Sequence, residues 1–480
     1  AQRHAKALPR QFLFGIALVS LWSSAAMPAM AQEADADGPG PISDLSIDEI
    51  APADSANVDA GPTLPYRIGP VDPIGGVDRG EVVDEVDPYA AEGLRLGAFI
   101  VRPTLEIGLS ATHSVSNTDT NGPAGVVETK SISYASTNSV GLQIDSDWSR
   151  HSLNLDLNGT LPIGISGDDD EPTADVVGTL GLDLSALTSL SLSANYGYDT
   201  ENPQSAAFLD AIEAGAPLLR SINEPATQSY SGSATLNHDF GGLSAQISAA
   251  ISRLEYGAAQ LSDGTTISQS DLNSINYDVS LRGGYALSGV LSPFVEVGYG
   301  QRVTDDLLDS AGLNRNATNY QLRLGTEIDF GEKLSGEVAV GYGVEQYDDA
   351  SLADVSGLIA DIALAWSPVR GTDVTLDANT SFVPSGTEDV SGSLLYATEL
   401  GLTHRLTSQL TGTASIGAAF ETFEGPAADE TTLNGSLGLI YNLNRYMALT
   451  GRIEHEQVFS TDESARESTS GVFVGMRLQR

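Results

Sequence analysis

The sequence has no cysteine and little positive charge. Its 23 Lys and Arg stand against 64 Asp and Glu, for a formal net charge of −41 over 480 residues. Phosphate binding needs basic surface, so nucleic acid is excluded as a partner. The missing thiols suit an oxidising compartment where stray cysteines would mispair. Long apolar runs are missing too. Apart from Phe12 to Trp22, which is too short for the roughly 20 residues a membrane-spanning helix needs, no stretch reads as one. Catalytic spacing is equally absent. His113, His151, His238, His404 and His455 are scattered, no HExxH is present and no cysteine completes a metal set. In Glu454-His455-Glu456 a strand sends His455 to one face and its neighbours to the other, so the three cannot meet at one site. No GxSxG sits in a strand-turn-helix context, and Asp168-Asp169-Asp170 reads as a solvated turn. The expectation is therefore no enzyme, no catalytic residue, no metal and no cofactor.

What is present divides the chain in three. Arg3, Lys6 and Arg10 precede the short apolar run, and Ala29-Met30-Ala31 supplies a small-x-small cleavage pattern, so residues 1–31 read as a secretory signal peptide. Residues 32–94 are acidic and rich in Pro and Gly, with no sustained period; this predicts a mostly disordered, self-repelling segment on the periplasmic side. From residue 95 to 480 a two-residue hydrophobic alternation recurs to the end, too apolar at 41% hydrophobic residues for a disordered acidic protein.

The alternation begins at Leu94–Ser116, read as one long strand. Phe99, Val101, Leu105, Ile107 and Leu109 share one face; Arg102, Thr104, Glu106, Ser110 and Thr112 share the other. Later runs bring the count to about eighteen strands, with sixteen as the alternative. Short turns such as Asp145-Ser146-Asp147, Phe240-Gly241-Gly242-Leu243 and Phe330 to Leu334 alternate with longer polar loops, 200–226 among them. That loop has a helical flavour from Ala207 to Ala214 and is a candidate lid. Alternating short and long connections predict an all-β, transmembrane, antiparallel up-and-down barrel. The first strand must then pair with 468–479, because a membrane sheet leaves no edge open.

Aromatic placement agrees with that architecture. On the parity assigned to lipid, Tyr198, Tyr230, Tyr277, Tyr299, Tyr320, Tyr342 and Tyr396 fall near the long-loop ends. Trp148, Phe240, Tyr285, Phe330, Trp366 and Tyr441 fall near the short-turn ends. Two interfacial girdles account for that sorting. The opposite parity is charged: Arg102, Glu106, Asp156, Asp183, Asp239, Asp278, Arg282, Glu296, Arg302, Arg323, Glu327, Glu337, Glu345, Asp361, Asp377, Glu399, Arg405, Glu421, Arg452 and Glu454. These are the candidate pore-lining residues. Acids outnumber arginines, which favours cations or neutral polar solutes over anions, although the same residues can instead pair across strands and stiffen the wall.

Three stretches carry a family resemblance. GAFIVRPTLEIGLSATHSVSN near residue 100, the segment from Gly341 through Phe382 with its Trp366-Ser367-Pro368, and the closing TGRIEHEQVFSTDESARESTSGVFVGMRLQ resemble the putative β-barrel porin 2 family. That resemblance covers roughly 95–480 and implies an outer-membrane barrel of a Gram-negative bacterium. It further implies export of exopolysaccharide or capsular polysaccharide, in contact with lipid, lipopolysaccharide and periplasmic polysaccharide-export components. The alternatives are a general porin-type diffusion channel and a closed barrel with a structural or surface-interaction role. The chain ends Met476 to Arg480 without the terminal aromatic common in such barrels, and Asn117 to Asn121 lacks a contiguous Asp-Asn pair.

Overall fold

The computed structural model describes residues 88–119, 126–166, 172–200, 225–260, 264–385, 390–425, 427–461, 463 and 466–480. The expected signal peptide, the acidic segment through residue 87, the Asp168–Asp170 turn and residues 201–224 of the candidate lid lie outside them. No described helix is long and apolar enough to cross a membrane.

Strands build the wall because small, β-branched and aromatic residues alternate with polar ones at the period of a pleat. In chain order they are β1 (Leu94–Leu96), β2 (Phe99–Asp119), β3 (Val126–Ser146), β4 (His151–Ser166), β5 (Thr173–Ser185), β6 (Thr188–Thr200), β7 (Ala226–Asp239) and β8 (Leu243–Tyr256). The two-residue strands β9 (Ala259–Gln260) and β10 (Thr266–Ile267) pair with each other in a loop. The wall resumes with β11 (Ser274–Tyr285), β12 (Leu291–Thr304), β13 (Ala317–Asp329), β14 (Leu334–Tyr347), β15 (Val355–Val369) and β16 (Thr372–Pro384). It finishes with β17 (Gly392–Arg405), β18 (Leu410–Glu424), β19 (Glu430–Asn444), β20 (Met447–Ser460) and β21 (Glu467–Gln479). Apart from the small β1, eighteen strands form one closed antiparallel sheet, and sixteen is ruled out. The ring closes where the alternation requires it: β2 pairs with β21 from Thr104 opposite Gln479 to Ser116 opposite Glu467. No wall edge is left facing lipid at this seam.

The large apolar side chains turn outward and are exposed, among them Ile107, Leu109, Leu161, Ile163, Val295, Val297, Leu322, Leu324 and Val474, while the buried charged groups lie on the inner face. This inversion of a soluble protein is what lipid outside and polar contents inside demand.

Three expectations about the strands need correction. Leu94–Ser116 is not one strand: the chain reverses at Gly97-Ala98, where Gly97 has φ 67°, and β1 folds back on β2 with Leu94 opposite Val101 and Leu96 opposite Phe99. β2 runs five residues past the end of β21, and β1 occupies part of that uncovered edge. The Arg480 amide donates to Pro103 O at 3.2 Å beside it. Gly93 leads the chain into this position with φ +72°, and a Cβ there would lie 2.6 Å from Ile100 Cγ2. The turn expected at Asp145-Ser146-Asp147 begins two residues later, at 147–150, since β3 continues to Ser146 and Asp145 is a wall residue. The loop expected from 117 to 130 is largely strand, because the β2–β3 ladder continues to Asp119 opposite Val126.

At the long-loop end the wall is not uniform. β15 and β16 pair only up to Asp361 opposite Asn379, and beyond that point they part. There Thr380 Oγ1 takes the place of a ladder partner, accepting from the Ala360 amide at 3.0 Å. β16 stays paired with β17 to Pro384 opposite Gly392.

Candidate channel lumen

The inner face follows from parity, and the register then decides which charges meet. Arg282 on β11 lies opposite Glu296 on β12, which lies opposite Arg323 on β13. Arg282 Nε donates to Glu296 Oε2 at 2.7 Å. Its two terminal nitrogens reach two strands further, to Glu337 Oε2 at 2.7 Å and Glu337 Oε1 at 3.1 Å. Glu327 and Glu337 face each other directly, a destabilising like-charge pair by itself. Arg282 offsets it, sitting 3.5 Å from Glu327. Arg323 joins Glu296 to Asp361 on β15, at 2.9 Å from the latter. The Arg282 guanidinium also lies 3.8 Å from the centre of the Phe294 ring. Arg282, Glu296 and Glu337 are all buried, so this five-strand network is part of the wall rather than a row of free charges.

The same holds elsewhere. Arg302 donates to Glu345 at 2.7 and 3.3 Å, both buried. Arg102 pairs with Asp145. At the seam Arg452 approaches Glu454 at 3.3 Å and Arg477 approaches Glu106 at 3.8 Å. The Phe473 ring lies over Gly108 and Gly475, where any Cβ would collide with it, and under the Arg452 guanidinium at 5.3 Å. The Ser393 hydroxyl donates to Glu421.

The remaining candidates divide between rim and wall. Asp239 Oδ1 accepts from the Gly241 amide at 2.6 Å and stabilises a short turn, and Asp183 and Arg405 sit at strand ends beside other short turns. Asp156 lies on the inner face of β4, flanked by Asp145 on β3 and Asp175 on β5. Asp278 occupies the inner face of β11, and Asp377 and Glu399 face one another across β16 and β17. Sequence reasoning passed over Asp145, Asp175, Glu467 and Arg477, although the same two-residue parity places each of them inward.

It also passed over an uncharged arc. On β6 to β8 the inner face carries hydroxyls and amides: Ser193 with Ser233 at 2.7 Å, Asn195 with Ser231 at 3.0 Å, Gln246 with Ser248 at 3.2 Å, and Ser252, which bonds Asn276 of the adjacent β11 at 3.3 Å. No Arg, Lys, Asp or Glu interrupts the inward positions from Ser189 to Ser193 or from Thr227 to Asn237.

Outside, the aromatics are sorted by height. Tyr230, Tyr277, Tyr299, Tyr320 and Tyr342 are exposed toward the long loops; Trp148, Phe240, Tyr285, Phe330, Trp366 and Tyr441 are exposed toward the short turns. Tyr198 shares the outward face by register. Tyr196 belongs with them, its ring 5.2 Å from that of Tyr230. Tyr396 differs: its ring stacks on Phe420 at 6.5 Å, yet a Cβ at inward-facing Gly357 would lie 3.3 Å from its hydroxyl. At the long-loop end, Arg253 grips Asp305 with two bonds of 2.6 and 2.7 Å, which hold the Asp305 carboxyl below its ordinary range. The Ser351 hydroxyl does the same for Asp349. Among the described residues no group of three or more His, Asp or Glu is placed to hold a metal.

The family description "Putative beta-barrel porin 2" matches residues 87–480. Solved structures similar to the chain include an outer-membrane protein and siderophore receptors. OccK2 (OpdF) of Pseudomonas aeruginosa is 13% identical, with 79% of this chain and 98% of that one covered and a TM-score of 0.37. OpdK of the same organism is 11% identical over 79% and 99%, TM-score 0.35. The siderophore receptor PirA of Acinetobacter baumannii is 9% identical over 78% and 80%, TM-score 0.36. No curated protein matches the chain.

Proposed function

The chain belongs to the Putative beta-barrel porin 2 family, an outer-membrane β-barrel of porin type, and from that premise we propose that it conducts a secreted, hydroxyl-rich polysaccharide outward. The observation that carries this reading is the uncharged hydroxyl and amide arc of β6 to β8. Such a surface exchanges hydrogen bonds with sugar hydroxyls as readily as with water, so a polymer slides past without a deep trap. The arginines facing inward are matched by carboxylates, which leaves no cationic row to hold an acidic chain. In this reading the short-turn end faces the periplasm, the residues before 88 lie there, and the pore is lined by Asp156, Asp278, Glu399 and the hydroxyl arc.

A second reading, a diffusion channel for small cationic or neutral solutes, draws on the surplus of inner carboxylates. One experiment separates them. Deleting the gene in its native host is expected to abolish cell-free polysaccharide and to strand polymer in the periplasm, with both restored by the plasmid-borne gene. Normal secretion together with slowed uptake of a small cation would overturn export and favour diffusion.

A further inference from the structure

Past Asn379, β16 leaves β15 but keeps β17, which itself keeps β18 as far as Gly392 opposite Glu424, so the wall parts between β15 and β16 and the arms on the β16 side cannot lie beside β15. Side chains of the parity that faces lipid elsewhere show where they lie instead. Phe382 reaches inward-facing Gly343, where a Cβ would lie 2.8 Å from its ring, and Leu394 reaches inward-facing Gly357, where a Cβ would lie 2.5 Å away. Leu394 is buried together with Ala317, Tyr347, Leu352 and Val355, and Phe382 packs against the same cluster. Tyr347 and Val355 are inward residues of β14 and β15. The hairpin arms 380–385 and 390–396, still joined to the wall through β18, therefore lap over the inner surface of β14 and β15.

Two bonds pin them there. Buried Arg315 donates from Nη1 to Val390 O at 2.6 Å, while its Nε holds Asp309 at 2.7 Å, and the Ala353 amide donates to Ser391 Oγ at 2.7 Å. Val390 is 1% exposed and Leu395 9%, whereas Leu358, on the outer face of the neighbouring strand, is 71% exposed.

We propose that this in-turned hairpin is the constriction that sets the largest cross-section able to pass the long-loop end; the inference rests on the channel reading above. An eighteen-strand barrel with strands about 4.8 Å apart and tilted about 40° is about 35 Å across between backbones. Where one part of a sheet laps inside another the two pack about 10 Å apart, so the overlap narrows the bore at this height.

The test compares wild type with Phe382→Ser/Leu394→Ser, which strips the apolar face of the hairpin, and with Arg315→Ala, which removes the bond to Val390 and leaves the hairpin residues intact. Heat-modifiable mobility on gels checks folding. Single-channel conductance in planar bilayers and exclusion of graded neutral polyethylene glycols are the readouts. Either folded variant is expected to raise conductance at least twofold and to admit larger polymers. Unchanged conductance and exclusion size in both, with wild type conducting, would overturn the constriction and leave the channel reading standing. Silence of wild type and both variants would overturn the two together. Silence of wild type with conduction by a variant supports the hairpin as the block.

Discussion

At the scale of single residues, the inner face is held by charges that would be costly alone. Glu337 is 1% exposed and takes two bonds from Arg282. Glu337→Ala leaves a buried guanidinium short of a partner, which costs about 3–5 kcal/mol. The expected result is a lower urea midpoint for the detergent-folded barrel. Glu337→Gln, which keeps an acceptor, falls between the variant and wild type, and Asp156→Asn leaves the midpoint in place. Alternation showed that Arg282, Glu296 and Glu337 share a face. It did not show that one arginine serves three strands, because parity specifies a side and the register specifies a neighbour.

At the scale of elements, the two departures from a regular wall lie where strand ends lack a partner. β1 covers three of the five residues of β2 that β21 does not reach, Phe99 to Val101, and its position depends on the left-handed backbone at Gly93. Gly93→Val is expected to lift β1 away, so amide hydrogen exchange at Val101 speeds up while the β2 amides opposite β21 stay slow. Equal protection at Val101 in both proteins would show that β1 contributes nothing to closure. The apolar phase slips by one between Leu96 and Phe99, and that slip beside Gly97 is the local trace of the reversal, because the residues flanking a two-residue turn face the same side. The in-turned hairpin had even less of one. Phe382 and Leu394 have lipid-side parity, and nothing local distinguishes a face that meets lipid from one that meets a second protein layer.

At the scale of the whole molecule, the closed ring has more carboxylates than arginines on its inner face, and the arginines are committed to pairs. The field inside is negative, so an open pore should pass potassium ahead of chloride. Under a potassium chloride gradient the reversal potential is expected on the cation side, and to shrink toward zero as acid protonates the carboxylates. Chloride preference at neutral pH would contradict the charge placement drawn from the register.

Alternation, turn spacing and aromatic placement determined by themselves that this chain is an outer-membrane-type barrel, with nearly every strand located and each residue assigned to an inner or outer face. Those properties are local: the pleat has a period of two, and lipid and water each select one phase of it. Tertiary structure decided the rest. The Arg282 network, the Phe473 ring seated on two glycines, β1 at the seam and the hairpin folded into the mouth all depend on strands far apart in sequence. Their registers are set by closure of the whole ring, and no window of sequence contains that constraint.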